Sequence, residues 1–135
     1  MDGSRFESRF DGASRNLCVS PEIRELLEAL DHRMVVRPWS FGQIRTAIVD
    51  LLMFLCTEEG RTDSNCRAVD AFVMTSWDDA WLDMRELPGQ FAEILCDIGG
   101  QLHDTFTAPE RAESFKSLPE QLLARARDLP MPGFL

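Results

Sequence analysis

Recognisable catalytic motifs are what this sequence most clearly lacks. It contains no GxSxG, no HExxH and no glycine-rich phosphate loop. Its four cysteines form no CxxC pair, which argues against a zinc ribbon and against a secreted disulfide framework. The longest nearly apolar stretch, residues 44–56, is far shorter than the roughly 20 residues that span a bilayer. These absences favour a binding role over a catalytic one.

Basic side chains are scarce in the middle of the chain. The net charge is −9, and residues 46–110 hold thirteen acidic side chains against three arginines. An acidic protein repels phosphate backbones and anionic lipid surfaces, so we expect neither nucleic acid nor membrane as a partner. Strong negative potential favours solubility and fast association with a basic protein. The N-terminus shows no apolar segment typical of a signal peptide, which predicts a cytoplasmic protein.

The apolar spacing predicts an all-α fold, because no β-branched run alternates with polar residues. A chain of 135 residues suits one domain. We expect a compact bundle of five to six helices over residues 20–130, with a flexible N-terminal tail at 1–19 and an irregular tail at 131–135. Ser20 and Pro21 mark the start of the first helix, and Pro38 its end. Three glutamates lie in its N-terminal half, where the helix dipole favours acids: Glu22, Glu25 and Glu28.

The stretch 44–56 predicts the central helix of the fold. It is apolar on nearly every side, which is typical of a helix buried in the middle of a core. Ser40 and Gln43 form a capping box before it, and Gly60 closes it. Cys56 and Cys96 fall on apolar faces and are expected to be small buried side chains.

The remaining predicted elements are a third helix, a fourth helix and two further helix starts. A long third helix is expected from residue 63 or 64 to residue 87, and a fourth from Pro88, in which Gly99 and Gly100 indicate a close helix crossing or a kink. Capping boxes at 107–110 and 117–120 predict two more helix starts. The second of these pairs Ser117 with Glu120.

The segment 77–86 is the richest candidate for function. Large aromatic side chains flanked by acids are typical of a partner-binding hot spot, whereas a solvated acidic face opposite a core-facing tryptophan pair is the simpler interpretation. Trp39 is a candidate addition to such a hot spot. Asp79, Asp83 and Glu86 share one helical face and offer an alternative, a magnesium site. The predicted partner-binding residues are Trp77, Asp78, Asp79, Trp81, Asp83 and Glu86.

The two histidines offer a second candidate metal site. Asp31-His32 and His103-Asp104, with a later Asp128, resemble the order of metal ligands in helical phosphohydrolases. That resemblance implies a divalent metal bound by His32, His103 and Asp104. The site requires the first and fourth helices to face each other.

The leading prediction is a non-enzymatic protein-interaction module without a cofactor, which binds a basic partner in a toxin-neutralising or adaptor-like role. Its motivating observation is the excess of acidic residues at 46–110. One alternative is a divalent-metal-dependent phosphohydrolase that uses the carboxylate or the His/Asp site. The other is a structural homo-oligomer, in which the apolar central helix completes its core against a second chain.

Overall fold

A computed structural model of the chain describes residues 19–36, 38–77, 89–107 and 117–129, without the side chains at 76–77 and 102–107. All regular structure in these ranges is helical, which confirms the all-α class. The helices are α1 (Pro21–Val35), α2 (Phe41–Leu55), α3 (Asp63–Trp77), α4 (Gly89–Thr107) and α5 (Leu118–Arg127). The predicted terminal tails, the third-helix continuation to 87 and the capping box at 107–110 fall outside the described residues, apart from their edges.

The helices pack in a closed sequence of neighbours. The principal contacts join α1 to α2, α2 to α5, α5 to α4, α4 to α3, and α3 back to α1. Helices α2 and α5 are antiparallel. Arg61, just beyond the end of α2, pairs with Glu120 in the first turn of α5, while Arg45 near the start of α2 donates to the carbonyl of Leu129 beyond α5.

One contiguous apolar core draws residues from all five helices. Among the described residues, Phe72 and Phe91 are the largest fully buried side chains. The ring of Phe91 also packs against Phe41 at a centroid distance of 5.5 Å, so that α4 contacts the start of α2. Burial of each such side chain contributes about 1.5–3 kcal/mol, and this apolar burial is the main stabilising term in the fold.

Helix α2 is less central than its composition predicts. Its buried residues form one face, which packs against α1 and α5. The opposite face carries Thr46, Val49, Asp50 and Met53, and Met53 is 46% exposed. The prediction of a helix buried on nearly every side was therefore wrong, because an apolar composition does not say how many neighbours a helix has.

The helices begin where the serine caps predict, but only one of the three serines makes the capping hydrogen bond. Ser40 caps α2 by accepting a hydrogen bond from the backbone N–H of Gln43 at 3.4 Å. Ser20 and Ser117 occupy the N-cap positions of α1 and α5, yet neither side chain makes a capping bond. Their hydroxyl oxygens accept instead from the side-chain amides of Asn65 and Gln121, both at 3.0 Å.

Gly99 marks the close crossing of α3 and α4. A Cβ built at Gly99 would lie 3.2 Å from side-chain atoms of both Val73 and Met74, whereas one at Gly100 would meet nothing within 4 Å. The predicted close crossing is thus confirmed for Gly99. None of the helices, as far as the chain is described, combines the length and the apolar character needed to cross a membrane.

Candidate functional site

Three glutamates on the solvent side of α1 form the clearest exposed feature of the described chain. Glu22, Glu25 and Glu28 are all exposed, and none forms a hydrogen bond or ion pair with another described residue. We call these three residues the acidic face of α1. Their carboxylates are therefore available to groups outside the described chain.

The spacing of residues in α1 explains how this face arises. Ile23, Leu27 and Leu30 are fully buried on the side that packs against α2 and α3. A helix turns about 100° per residue, so glutamates at intervals of three from Glu22 fall on the opposite side. Glu22 and Glu28 are separated by about 9 Å along the axis, close to the Debye length of about 8 Å at physiological salt. The three negative charges consequently act together on an approaching partner.

The predicted partner-binding segment lies almost wholly outside the described residues. Trp77 ends α3, but its side chain is not described. Asp78, Asp79, Trp81, Asp83 and Glu86 fall in the range 78–88. The assignment of these residues to partner binding therefore stays a prediction.

Trp39 has a structural role in the described chain. Its indole Nε1 donates to the carbonyl of Met34 at 3.0 Å, and its ring meets Phe41 edge-on at 6.1 Å. The side chain is half-buried against the core. Trp39 therefore ties the end of α1 to the start of α2.

The structure describes the side chain of only one residue of the predicted histidine site, His32. His32 is exposed on α1, whereas its neighbour Asp31 is buried. His103 and Asp104 lie in α4, whose principal neighbours are α3 and α5 rather than α1. The helix pairing that this metal site requires is thus not among the principal contacts. Since the side chains of His103 and Asp104 are not described, the metal site stays a prediction.

The α2–α3 junction, residues 56–65, contains the densest polar network of the described chain. Asn65 is fully buried, and its amide donates to the carbonyl of Gly60 at 3.1 Å. The same side chain exchanges two hydrogen bonds with Ser20, accepting from its backbone N–H at 2.9 Å and donating to its hydroxyl. Asn65 therefore joins the starts of α1 and α3 to the loop that follows α2. It satisfies buried polar groups that would otherwise be costly.

Arg61 completes this junction on its outer side. Its guanidinium donates to the carbonyls of Leu55 and Cys56 at 3.2 and 3.1 Å, at the C-terminal end of α2 where a cation is favourable. It also forms an ion pair with Glu120. The hydrogen bond from Arg61 holds the pKa of the Glu120 carboxyl below its usual range. Arg61 thus links three segments of the chain.

Cys56 and Cys66 do not resemble activated nucleophiles. Burial raises the pKa of the Cys66 thiol to about 12. Burial, assisted by the charge of Glu120, also raises the pKa of half-buried Cys56, although Arg61 opposes the shift. A thiol with a raised pKa is a poor nucleophile at neutral pH. Cys96 is exposed, so the prediction that it is a buried side chain was wrong.

Potential metal ligands are dispersed over the described part of the chain. Its histidine, cysteine and carboxylate side chains include no group of three or more that could hold a metal ion. Arg125 in α5 pairs with Asp97 and, at 3.3 Å, with Glu93, both in α4. That cluster joins α4 to α5 and engages both terminal nitrogens of the Arg125 guanidinium.

Comparisons of this chain with protein-family models, with curated proteins and with solved structures find no match.

The acidic face of α1 was visible in the sequence as a stabilising set of acids near a helix start, but not as a surface. Its signal is the three-residue spacing opposite the apolar stripe of Ile23, Leu27 and Leu30. No local pattern in the sequence predicts the contacts of Asn65 and Arg61, because their partners Ser20 and Glu120 lie 45 and 59 residues away.

Proposed function

We propose that this chain is a non-enzymatic protein-interaction module of the cytoplasm that binds a basic partner protein, in a toxin-neutralising or adaptor-like role. Its binding surface rests on a compact bundle of five to six helices in one domain. The acidic face of α1 supplies part of that surface, and the acidic segment at 77–86 supplies the remainder. No cofactor takes part in binding.

The observation that carries this proposal is the availability of three neighbouring carboxylates on α1. Glu22, Glu25 and Glu28 are exposed and make no ion pair with another described residue. Exposed charges of one sign contribute little to folding but raise the association rate with an oppositely charged surface. The net charge of −9 strengthens this attraction over the whole molecule. A basic protein is the partner that this potential attracts.

The first test is recovery of partners from the native host with the tagged full chain at low and at high salt, followed by mass spectrometry. The proposal predicts a basic protein that is retained at low salt and lost at high salt, because screening weakens contacts between exposed charges. Recovery of no basic protein, or recovery that does not depend on salt, would contradict it. Assay of the chain against phosphate esters with Mg²⁺ or Mn²⁺ checks the phosphohydrolase alternative.

Two charge-matched variants test whether the acidic face of α1 is the surface that binds the partner. The triple substitution Glu22→Gln, Glu25→Gln and Glu28→Gln removes the acidic face of α1. Its control removes the same number of negative charges from exposed positions elsewhere, through Glu58→Gln, Glu59→Gln and Asp128→Asn. The proposal predicts loss of the partner in the first variant and retention in the second. Equal losses would mean that net charge alone matters, and no specific face would remain.

The segment 77–86 is tested separately through Asp79→Lys with Asp83→Lys. We expect slower association and a weaker dependence on salt, with helicity by circular dichroism unchanged. Unchanged binding would remove this segment from the proposed surface.

A further inference from the structure

The groove between α2 and α5 has a charge opposite to that of the protein as a whole. It encloses about 200 Å³ and is lined by Arg45, Thr46 and Val49 of α2 and by Arg127 of α5. The two helices are antiparallel, so Arg45 near the start of α2 faces Arg127 in the last turn of α5. The groove therefore has one arginine on each wall.

Most N–H groups of these two guanidinium groups form no hydrogen bond with another described residue. Arg45 donates from Nη1 to the carbonyl of Leu129 at 3.3 Å, which holds its side chain beside the end of α5. Arg127 is exposed and makes no hydrogen bond or ion pair with another described residue. Arg61 and Arg125, in contrast, are engaged by Glu120 and by Asp97 with Glu93. Each guanidinium carries five N–H donors, so most donors in the groove are available.

Among the described residues, no carboxylate lines this groove beside the two arginines. Asp128, which follows Arg127, instead lines a separate groove with Gln90 and Arg125. Two arginines in a groove whose other described lining residues are uncharged, in a chain of net charge −9, point to an external anion. The last turn of a helix also favours a cation, which accounts for Arg127 alone but not for its placement opposite Arg45.

We propose that the α2–α5 groove binds an oxyanion, a phosphate or carboxylate group held between Arg45 and Arg127. The planar fork of arginine matches both groups, and two forks can hold one oxyanion from opposite sides. Thr46 donates its hydroxyl hydrogen to the carbonyl of Gly42 at 3.0 Å, so recognition rests on the arginines. The groove is smaller than the 300–1,000 Å³ typical of pockets for drug-sized ligands, which suits one anionic group rather than a nucleotide.

Titration of the full-length protein with sodium phosphate and with sodium acetate, followed by amide NMR shifts at constant ionic strength, tests this proposal. We expect saturable shifts at Thr46, Val49 and Arg127 that sodium chloride does not produce. Acetate and phosphate separate the two sources of the anion, since the tighter of them identifies the preferred group. Absence of saturable binding by both anions would overturn the proposal.

Substitutions distinguish a specific site from general ion effects. Arg127→Gln is expected to raise the dissociation constant about tenfold, the effect of losing one charge-assisted hydrogen bond. Arg33→Gln is the matched control, because Arg33 also lies in the last turn of a helix but does not line this groove. It should leave the dissociation constant unchanged. Arg127→Lys keeps the charge at the helix end and should bind more weakly than wild type, since it lacks the fork. Equal affinities in wild type and Arg127→Gln would contradict the proposal.

Discussion

The α2–α3 junction and the acidic face of α1 are both rich in polar groups, but they use them in opposite ways. In the junction, Asn65 is fully buried and Arg61 donates to two backbone carbonyls and to Glu120. On the acidic face, Glu22, Glu25 and Glu28 make no contact of this kind with described residues. Polar groups that are satisfied internally stabilise a fold, whereas polar groups left in solvent are available to a partner. Substitutions in the junction should therefore lower stability, whereas substitutions on the acidic face should weaken binding and leave stability nearly unchanged.

The largest effect on stability is expected from Asn65→Ala. The change removes three hydrogen bonds and leaves the carbonyl of Gly60 and the N–H of Ser20 without this partner. We expect the free energy of unfolding to fall by about 3 kcal/mol, as measured by urea denaturation. The smaller change Ser20→Ala removes only one of these bonds and should cost about 1 kcal/mol. A similar cost for both variants would mean that Asn65 does not organise the junction.

A second large effect is expected from Gly60→Ala. An added Cβ would overlap the backbone carbonyl of Phe54, so the loop would have to move. We expect a loss of about 2 kcal/mol in thermal or urea unfolding. Gly100→Ala is the control, because nothing lies within 4 Å of its Cβ position inside α4. It should stabilise the protein by about 0.5–1 kcal/mol through helix propensity. Destabilisation by Gly100→Ala, or none by Gly60→Ala, would contradict this account of the packing.

The Arg61–Glu120 ion pair is expected to give a smaller, pH-dependent effect. The folded-state pKa of Glu120 is lowered by Arg61, so its stabilising contribution is present above the unfolded-state pKa of about 4.3 and is lost as pH falls through the folded-state value. At neutral pH, Glu120→Gln should cost about 0.5 kcal/mol, since the carboxylate is exposed to solvent. Urea unfolding of wild type and variant at pH 7 and at pH 3 should show this difference shrinking in acid. A difference that grows in acid would refute the assignment.

The smallest effect on stability is expected from the triple Gln variant of the acidic face. Exposed substitutions typically change the free energy of unfolding by less than about 0.5 kcal/mol, with a further small loss from Glu22 in the first turn of α1. The contrast with the junction is sharp, because this variant should lose binding while keeping its fold. A large drop in the unfolding midpoint would show that the acidic face stabilises α1 and would weaken its assignment to binding.

The helices were predictable because their signals are local. Ser20 and Pro21, Ser40 and Asp63 mark starts within one residue of those in the structure, and Gly99 lies at a close crossing as expected. Helical periodicity identifies which face of an element is apolar, but it does not identify the neighbour that covers it. The exposure of Met53 on α2 is a consequence of this limit.

The polar contacts were not predictable because they join distant segments. Ser20 carries a typical capping side chain, yet its hydroxyl accepts from Asn65, 45 residues away. No pattern in the sequence around Ser20 or around Asn65 predicts that these two residues pair. The groove between Arg45 and Arg127 depends in the same way on the antiparallel packing of α2 and α5. For the proposed binding surface, the sequence indicates the excess of acids at 46–110, whereas the fold shows that Glu22, Glu25 and Glu28 form one exposed face.

Association kinetics with the proposed basic partner, measured on the protein that the salt-dependent recovery yields, test the central claim most directly. The association rate constant should be measured over a range of ionic strength for the wild type, the Glu22/Glu25/Glu28 variant and the charge-matched Glu58/Glu59/Asp128 variant. The account predicts that only the first variant shows both a markedly slower association at low salt and a weaker dependence on salt. An association rate that is unchanged in this variant, or lowered equally in both, would contradict a binding role for the acidic face of α1.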